Sequence, residues 1–267
     1  MKKELLITGA ANGIGKATAL KFAENGWHVW ATDMDERGLG SFHGAPDIEP
    51  VVMDVTSASS VQKVFEIICA RQSGLDLVIN NAGIDRYFPF CEAPVEQFTE
   101  VFEVNVFGAY RVNQVFLPLL KKPGGRIIHI GSESLNLEIP FMPYPLSKKA
   151  LESYSKVLRQ ELRFMGIRVV VVRPGAVRTN ILENVAKIRY PVGNKQLGLA
   201  FDEFASRAPG EVGRVESTGT LAALLLRIAE IPRPRAVYRI NNSLQLKIAA
   251  LIPFAWLEKM VYRKLSK

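Results

Sequence analysis

Short apolar runs alternate along this chain with longer segments in which apolar residues recur every three or four positions. The short runs are typical of strands and the longer segments of helices. The run 167–172 is almost entirely aliphatic, as expected of a strand that is buried on both faces. The alternation predicts a parallel sheet covered by helices on both faces. Strands are predicted at 4–8, 27–32, 48–55, 75–80, 126–131, 167–172 and 236–240, and helices at 16–23, 57–73, 94–120 and 144–165.

A glycine-rich turn joins the first predicted strand to the first predicted helix. It reads G-A-A-N-G-I-G from Gly9 to Gly15, and glycines in such a turn let the backbone approach a pyrophosphate closely. The positive end of the following helix attracts the phosphate charge. The second strand ends at Asp33, eighteen residues after Gly15. A carboxylate there can accept hydrogen bonds from the adenosine ribose and repels a 2′-phosphate, so the sequence predicts NAD rather than NADP.

Tyr144 and Lys148 stand four residues apart in a predicted helix and would therefore share one face of it. A unit charge about 4 Å from the phenol, at an effective dielectric of about 20, supplies about 4 kcal/mol. A shift of the tyrosine pKa from about 10 to about 7 requires a similar amount, so Lys148 would make Tyr144 a proton-transfer group near neutral pH. Taken alone, the pair is more typical of a solvated helix surface, and it is the other motifs of the chain that favour a catalytic pair. Ser132, twelve residues before Tyr144, follows the fifth predicted strand.

Together these motifs resemble the short-chain dehydrogenase/reductase family. Four further motifs carry the resemblance: Asp54-Val55, Asn80-Asn81-Ala82-Gly83, Asn105, and Pro174-Gly175 followed by Thr179. The resemblance implies an α/β doubly wound Rossmann-like fold with a seven-stranded parallel sheet, a nicotinamide cofactor, and oxidoreduction of an alcohol and carbonyl pair. Members that prefer NADP often carry a basic residue at two places that Asn12 and Met34 occupy here. The serine-to-tyrosine interval and the Pro-Gly-x-x-x-Thr segment are similar to those of retinol and hydroxysteroid dehydrogenases.

The resemblance also assigns roles to individual residues. Ser132 would hydrogen-bond the substrate oxygen, Tyr144 would exchange a proton with it, and Lys148 would also hold the nicotinamide ribose. Asn105 would hold a water molecule in a proton relay behind Lys148. Ser134 also lies near the strand end, but its separation from Tyr144 is unusual for the family, so Ser132 is preferred. The expected cofactor-binding residues are Gly9, Asn12, Gly13, Ile14, Gly15, Asp33, Asp54, Val55, Asn81, Ala82, Gly83, Tyr144, Lys148, Pro174, Gly175, Val177 and Thr179.

Three of these assignments have structural alternatives. Asp54 is expected beside the adenine, but it could equally be a cap at the end of a strand. Asn81, Ala82 and Gly83 could serve the packing of the central strands as much as the cofactor. Thr179 is expected to bond the nicotinamide carboxamide, and its alternative is a helix cap.

We expect a single Rossmann-like catalytic domain over 1–242, followed by an apolar, basic C-terminal tail over 243–267. The substrate loop of this domain is expected at about 181–207. Apolar residues mixed with charges in that loop favour a bulky lipophilic alcohol or ketone as the substrate. The tail could lie in a membrane interface, where Trp256 and Tyr262 would sit at the depth of the headgroups. Alternatively, it could pack over the substrate cleft or against a second subunit.

Charge and composition limit the remaining possibilities. The formal net charge is +8 and the pI is about 9.5, but the basic residues are dispersed and no aromatic stacking set accompanies them. Nucleic acid is therefore not an expected partner, and an anionic membrane surface is the alternative. Two cysteines and three scattered histidines give neither a disulfide framework nor a metal pattern, so no metal is assigned. We expect a cytoplasmic protein, with no secretion signal or membrane-spanning segment, because the apolar runs are too short.

The sequence therefore predicts an NAD-dependent short-chain alcohol dehydrogenase or ketone reductase. Its expected substrate is a primary or secondary alcohol, or the matching carbonyl, that is lipophilic in the manner of a steroid, retinoid or lipid. A homodimer or homotetramer is expected. One alternative is a catalytically idle NAD-binding regulatory protein, against which Ser132, Tyr144 and Lys148 argue. The other is a peripheral membrane-surface binding protein.

Overall fold

Seven strands of the described chain form a parallel sheet. The structure is a computed structural model that describes residues 2–71, 74–136, 138–178, 189–208, 215–241 and 252–266. The strands follow the order β3-β2-β1-β4-β5-β6-β7, and every neighbouring pair is parallel. The predicted doubly wound, Rossmann-like sheet is therefore confirmed. The strands are β1 (Lys3–Thr8), β2 (Trp27–Asp33), β3 (Ile48–Val52), β4 (Leu77–Asn80), β5 (Arg126–Ile130), β6 (Arg168–Pro174) and β7 (Val237–Ile240).

Helices connect the strands and cover both faces of the sheet. They are α1 (Gly13–Ala23), α2 (Glu36–Leu39), α3 (Ala58–Arg71), α4 (Val95–Phe102), α5 (Ala109–Phe116), α6 (Pro143–Arg163), α7 (Lys195–Arg207), α8 (Thr218–Glu230) and α9 (Phe254–Leu265). A π-helical turn over Glu103–Gly108 joins α4 to α5, and short 3₁₀ turns lie at Gly40–Phe42, Leu117–Leu119 and Glu133–Asn136. None of the described helices combines the length and the apolar character that crossing a bilayer requires.

The core lies in two apolar layers, one on each face of the sheet. Successive side chains of a strand point to opposite faces. In β1, accordingly, Leu5 and Ile7 belong to one layer and Leu6 to the other. The first layer also holds the buried faces of α1 and α8, and the second holds those of α3 and α5. Burial on both faces explains the continuous apolar runs of the sequence.

The sheet has its switch point between β1 and β4. The chain builds β1, β2 and β3 outward in one direction and then β4 to β7 in the other. Helices on opposite faces leave a crevice at such a point, outside the carboxyl ends of the strands. Gly9 and Asn81 directly follow their strands, Ser132 is the second residue after the end of β5, and Asp33 and Pro174 are the last residues of their strands. The fold therefore brings these five residues to one edge of the sheet.

A buried polar network ties the central strands to the helices behind this edge. His129 of β5 is fully buried, and its ring nitrogens lie 2.8 Å from Asn113 Nδ2 and 2.6 Å from Ser155 Oγ. Asn80 of β4 donates to Asn113 Oδ1 at 2.8 Å. Burial, with the nearby charge of Lys148, lowers the pKa of His129 to about 3. His129 is therefore neutral and structural.

Candidate active site

A cavity of about 780 Å³ opens at the carboxyl edge of the sheet. This volume lies in the range of small-molecule and cofactor sites. Most of the predicted site residues line it: Gly9, Asn12, Gly13, Ile14, Asp33, Asp54, Val55, Asn81, Ala82, Gly83, Ser132, Tyr144, Lys148, Pro174, Gly175 and Val177. Gly15 and Asn105 do not line the wall, and Thr179 lies outside the described residues.

The glycine turn is shaped for close approach of the backbone. Gly9 and Gly13 adopt positive φ angles of 69° and 53°, which side chains disfavour. A Cβ atom on Gly15 would overlap the carbonyl oxygen of Gly9, so Gly15 lets α1 pack against the turn. Asn12 precedes α1 without a side-chain cap, which leaves amides of the first helical turn available to an anion.

Asn81 holds this turn in place from the neighbouring strand. Its side-chain amide donates to the carbonyl oxygens of Thr8 and Gly9, at 3.0 and 2.9 Å. The hydroxyl of Thr8 in turn accepts from the backbone amides of Asn81 and Ala82, at 3.1 and 3.0 Å. The motif after β4 therefore supports the turn as well as lining the cavity, which was the structural alternative for these residues.

Two carboxylates lie at the same end of the cavity. The carboxylate of Asp33 accepts hydrogen bonds from the backbone amides of Ala11 and Asp35, at 2.9 and 3.0 Å. Asp54 Oδ1 accepts from the backbone amide and the hydroxyl of Thr56, both at 2.8 Å. Asp54 thus forms the turn before α3 and also faces the cavity. A glycine turn, uncapped helix amides and a fixed carboxylate fit the adenosine and pyrophosphate of a dinucleotide.

Tyr144, Lys148 and Ser132 meet at the other end of the cavity. Helix α6 begins at Pro143, which places Lys148 one turn after Tyr144, with its Nζ 5.4 Å from the centroid of the tyrosine ring. Lys148 Nζ also donates to the carbonyl oxygen of Ile130 at 2.9 Å. The predicted shared helix face is therefore confirmed. The Ser132 hydroxyl is close enough to Tyr144 to lower the pKa of its phenol.

The second serine supports the first. The backbone amide of Ser134 donates to Ser132 Oγ at 3.1 Å, and the two hydroxyl oxygens lie 2.8 Å apart. Both serines line the cavity. Because Ser132, and not Ser134, acts on the pKa of Tyr144, Ser132 is favoured over Ser134 as the residue that contacts a substrate oxygen.

The predicted effect of Lys148 on the pKa of Tyr144 is wrong. Burial raises the pKa of Tyr144 above its usual value, the charge of Asp85 raises it further, and only the Ser132 hydrogen bond lowers it. Burial also lowers the pKa of Lys148 to about 8, against an opposing effect of Asp85. An effective dielectric of about 20 describes a partly solvated pair, whereas both groups are buried here and lose their hydration.

Asn105 lies in the π-helical turn, which is a frequent feature of functional sites. Its amide oxygen accepts from the backbone amide of Ile84 at 2.8 Å, and its amide nitrogen donates to the Ile84 carbonyl and to Ser147 Oγ, both at 2.9 Å. The backbone at Gly83 runs between Asn105 Oδ1 and Lys148 Nζ. Asn105 therefore fixes the segment after β4 beside Lys148, and its role in holding a water molecule stays a prediction.

Asp85 and Tyr87 are site residues that the sequence reasoning missed. Both line the cavity, and the hydroxyl of Tyr87 donates to Asp85 Oδ2 at 2.7 Å. Burial raises the pKa of Asp85 to about 6, while hydrogen bonds from Tyr87 and the Arg86 amide and the charges of Arg86 and Lys148 oppose it. The sequence does contain a signal for Asp85. The residue comes shortly after the end of β4, and functional residues of such sheets lie at the carboxyl ends of the strands.

Apolar side chains close the end of the cavity beyond Tyr144. Ile139, Met142 and Phe204 line it, and Phe204 packs in a cluster with Phe141 and Phe201. The C-terminal helix α9 adds Leu257, Met260, Val261 and Leu265, with Lys264 and Arg207 as the basic members of this wall. The part of the tail that the structure describes therefore packs over the cleft, as one of its alternatives predicted. The substrate loop is described only from 189 onward.

Comparison with known proteins places this site in a family. Residues 3–189 match the family model described as short chain dehydrogenase. The NADPH-dependent 3-dehydrocapnine reductase of Ornithobacterium rhinotracheale is 30% identical over 284 aligned positions, which cover 98% of this chain and 97% of that protein. Estradiol 17-beta-dehydrogenase 2 of Rattus norvegicus is 34% identical over 192 positions, which cover 68% of this chain and 50% of that protein.

A solved structure agrees with these relatives. A short-chain dehydrogenase from Streptomyces avermitilis has a TM-score of 0.80 and 25% sequence identity, and the match covers 100% of this chain and 97% of that one. The chain therefore belongs to the short-chain dehydrogenase/reductase family, a family of oxidoreductases.

Proposed function

We propose that the protein transfers a hydride between NAD(H) and the alcohol and carbonyl pair of a lipophilic substrate. The observation that carries this proposal is the continuity of the cavity. Its wall runs from the glycine turn and Asp33, past Ser132, Tyr144 and Lys148, to the apolar surface of α7 and α9. A cofactor at one end and an apolar substrate at the other would meet beside the tyrosine.

Residues of the chain would transfer the proton and orient the substrate. A bound nicotinamide cofactor supplies or accepts the hydride. Ser132 holds the substrate oxygen, and Tyr144 donates a proton to that oxygen during reduction or takes one during oxidation. The raised pKa of Tyr144 keeps its proton on the phenol at neutral pH, which suits donation to a carbonyl. Lys148 holds the nicotinamide ribose beside Tyr144.

The preference for NAD rests on Asp33. Asp33 ends β2, and its carboxylate is held by hydrogen bonds from two backbone amides. The next residue, Met34, has an exposed side chain without charge. A 2′-phosphate would meet negative charge there. Related proteins differ in this respect, since the Ornithobacterium relative is named as NADPH-dependent, whereas a neighbour from Burkholderia phymatum was solved with NAD. That neighbour shares the fold, with a TM-score of 0.78 and 23% identity.

Asp33→Ala should narrow the preference for NAD over NADP. The loss of hydrogen bonds to the ribose weakens NAD, and the loss of repulsion improves NADP, so the ratio of the two kcat/KM values should fall by about tenfold or more. Steady-state kinetics with both cofactors measures the ratio. Glu36→Ala, which removes an exposed carboxylate at the start of α2, serves as the control and should leave the ratio unchanged. Equal efficiency of the wild type with both cofactors would contradict the proposal.

A screen of lipophilic alcohols with NAD, and of ketones with NADH, tests the reaction itself through the absorbance of NADH. The apolar wall beyond Tyr144 supports a lipophilic substrate, and estradiol appears in the name of the rat relative. Turnover of any of these compounds would exclude the idle regulatory protein. Absence of turnover across the whole screen, with NADH bound, would favour it.

Contact with a membrane is proposed for the outer face of α9. Trp256 is 69% and Tyr262 72% exposed there, while the opposite face of the helix lines the cavity. Lys259 and Arg263 add positive charge to the exposed surface. Aromatic rings among basic residues are typical of helices that lie in the interface of an anionic bilayer. Such binding would bring the mouth of the cavity to a lipophilic substrate.

Replacing Trp256→Ser and Tyr262→Ser together should reduce sedimentation with anionic liposomes at low salt, because both aromatic anchors are removed. NADH binding and turnover of a water-soluble ketone should persist, since the cavity face of α9 is unchanged. This double variant is sharper than truncation after Asn242, which would also remove Leu257 and Met260 from the cavity wall. A full-length protein that never sediments with such liposomes would eliminate the proposal.

Further expectations from the sequence remain proposals. A homodimer or homotetramer is expected in solution, which light scattering coupled to size-exclusion chromatography measures. The cytoplasmic location and the single catalytic domain over 1–242 also stay predictions.

A further inference from the structure

One carboxylate faces the substrate side of the cavity. Asp85 lies on the segment after β4, lines the same cavity as Tyr144 and Lys148, and is close enough to both for its charge to act on their pKa values. The surrounding substrate wall is largely apolar, with Ile139, Met142 and Phe204 among its members. An acidic group is therefore built into an apolar pocket beside the reacting groups.

Neutral donors hold this carboxylate in position. Asp85 Oδ1 accepts the backbone amide of Arg86 at 2.8 Å, and Oδ2 accepts the Tyr87 hydroxyl at 2.7 Å. The guanidinium of Arg86 pairs instead with Glu100, at 3.1 and 2.7 Å, and also donates to the Asp85 carbonyl oxygen at 3.1 Å. In the part of the chain that the structure describes, no salt bridge joins a cation to the Asp85 carboxylate.

Removing a carboxylate from water is unfavourable, and the charges of Arg86 and Lys148 offset only part of that cost for Asp85. The raised pKa of Asp85, about 6, reflects that cost. A cation bound in the cavity would offset it. The ring of Tyr87 packs against Phe204, with the centroids 6.1 Å apart, so aromatic surface lies beside the carboxylate. A carboxylate next to aromatic rings is the chemistry that binds organic ammonium ions.

We propose that Asp85 is a specificity-determining residue that binds a cationic ammonium group of the substrate, close to the carbon that is reduced or oxidised. The substrate class is then an amino ketone or amino alcohol with a lipophilic remainder. This inference rests on the proposed function, because it concerns the substrate of the same site. Asp85 and Tyr144 lie in the same part of the cavity, which sets the ammonium group near the reacting oxygen.

The pH dependence follows from the charged groups around Asp85. Arg86 and Tyr87 lie on its own segment, and Tyr144 and Lys148 face it from α6. Arg207 and Lys264 belong to the cavity wall of α7 and α9, and the carboxylate of Glu133, which also lines the cavity, is paired with Arg239. Above about pH 6 the carboxylate is ionised and attracts a cation. Below that value it becomes protonated, and the attraction is lost as the pH falls.

Two matched ketones test the proposal. One is the quaternary ion N-benzyl-N-methylpiperidinium-4-one, and the other is its neutral carbon isostere, 4-benzyl-4-methylcyclohexanone. The permanent charge removes any titration of the substrate from the pH profile. We expect the wild type to reduce the cation with a kcat/KM about tenfold or more above that of the isostere. KM for the cation, and not for the isostere, should rise below about pH 6.

Asp85→Asn should abolish this discrimination. The amide retains an oxygen that can accept the Tyr87 hydroxyl, so the fold of the segment should persist, while the negative charge is lost. The ratio of the two efficiencies, cation over isostere, should fall to about one, and the rise of KM for the cation at low pH should vanish. The ratio is the measure because loss of the Asp85 charge also changes the pKa values of Tyr144 and Lys148, which affects both ketones alike. Asp202→Asn removes one negative charge at an exposed position of α7. This control should change neither the preference for the cation nor the pH dependence of its KM.

The other outcomes separate this inference from the proposed function. A wild type that reduces the isostere and shows no preference for the cation overturns the role of Asp85 and leaves the proposed function standing. An equal loss on both ketones in Asp85→Asn also overturns it, because Asp85 would then act through Tyr144 and Lys148. Absence of turnover on every ketone, cationic or neutral, overturns the proposed function and the inference together.

Discussion

Tyr144→Phe should lower turnover by at least about 100-fold while NADH binding persists. General acid–base groups typically contribute about 10²–10⁴-fold to rate. The substitution removes the hydroxyl beside Ser132 and leaves the ring, whose centroid lies 5.4 Å from Lys148 Nζ. The ring continues to fill the first turn of α6, so the cofactor end of the cavity should be unchanged. Initial rates on any ketone found in the screen, with NADH binding followed by fluorescence, measure both effects.

Tyr154→Phe provides the matched control on the same helix. Tyr154 also loses a buried hydroxyl, which accepts a hydrogen bond from Asn113 at 3.2 Å, but it does not line the cavity. Turnover of this variant should stay near that of the wild type. If Tyr144→Phe retained more than about a tenth of wild-type turnover, another group would have to supply the proton.

The sequence predicts the fold well because the sheet is buried on both faces. Uninterrupted aliphatic runs such as that of β6 can be matched to strands directly, and all seven predicted strands are present. The boundaries are less accurate. For example, β3 ends at Val52 rather than 55, because the Asp54 carboxylate bonds the amide and hydroxyl of Thr56 and turns the chain toward α3. Such local side-chain bonds compete with strand pairing and leave no periodic signal.

The positions of the candidate catalytic groups follow from spacing, but their electrostatics do not. A separation of four residues is enough to place Tyr144 and Lys148 on one helix face. The direction of their pKa shifts depends on how deeply both groups are buried and on Asp85, which approaches from a different element. Asp85 is almost 60 residues from Tyr144 in sequence. Its effect on these pKa values can therefore be seen only in the folded structure.

The C-terminal helix shows a similar limit. Its composition, apolar residues mixed with basic ones, fits a membrane interface and the cover of a cleft equally well. In the structure Leu257 and Val261 line the cavity, whereas Trp256 and Tyr262 are exposed and form the face proposed to contact a membrane. Helical periodicity gives the two faces, but which of them meets the cavity depends on how α9 docks against α7.

Gly15→Ala should weaken NADH binding by at least about tenfold and lower the thermal stability. A Cβ atom at Gly15 would overlap the backbone carbonyl oxygen of Gly9, and it would lie 2.7 Å from the Asn81 amide that holds the same carbonyl. Backbone atoms cannot rotate out of the way, so α1 must move from the turn. Overpacking of this kind costs about 1–3 kcal/mol, which corresponds to several degrees of Tm in a chain of this length.

The effect on binding should exceed that of a general loss of stability, because the displaced turn and the first amides of α1 are the groups that would meet the pyrophosphate. Gly219→Ala is the control. It lies in the first turn of α8, which packs against α1, and the nearest atom to its added Cβ would be Ser217 Oγ at 3.7 Å. Alanine favours a helix, so this variant should be as stable as the wild type or slightly more stable. Titration with NADH and thermal unfolding compare the two variants. Wild-type affinity for NADH in Gly15→Ala would show that the close approach of α1 to Gly9 is not needed for binding the cofactor.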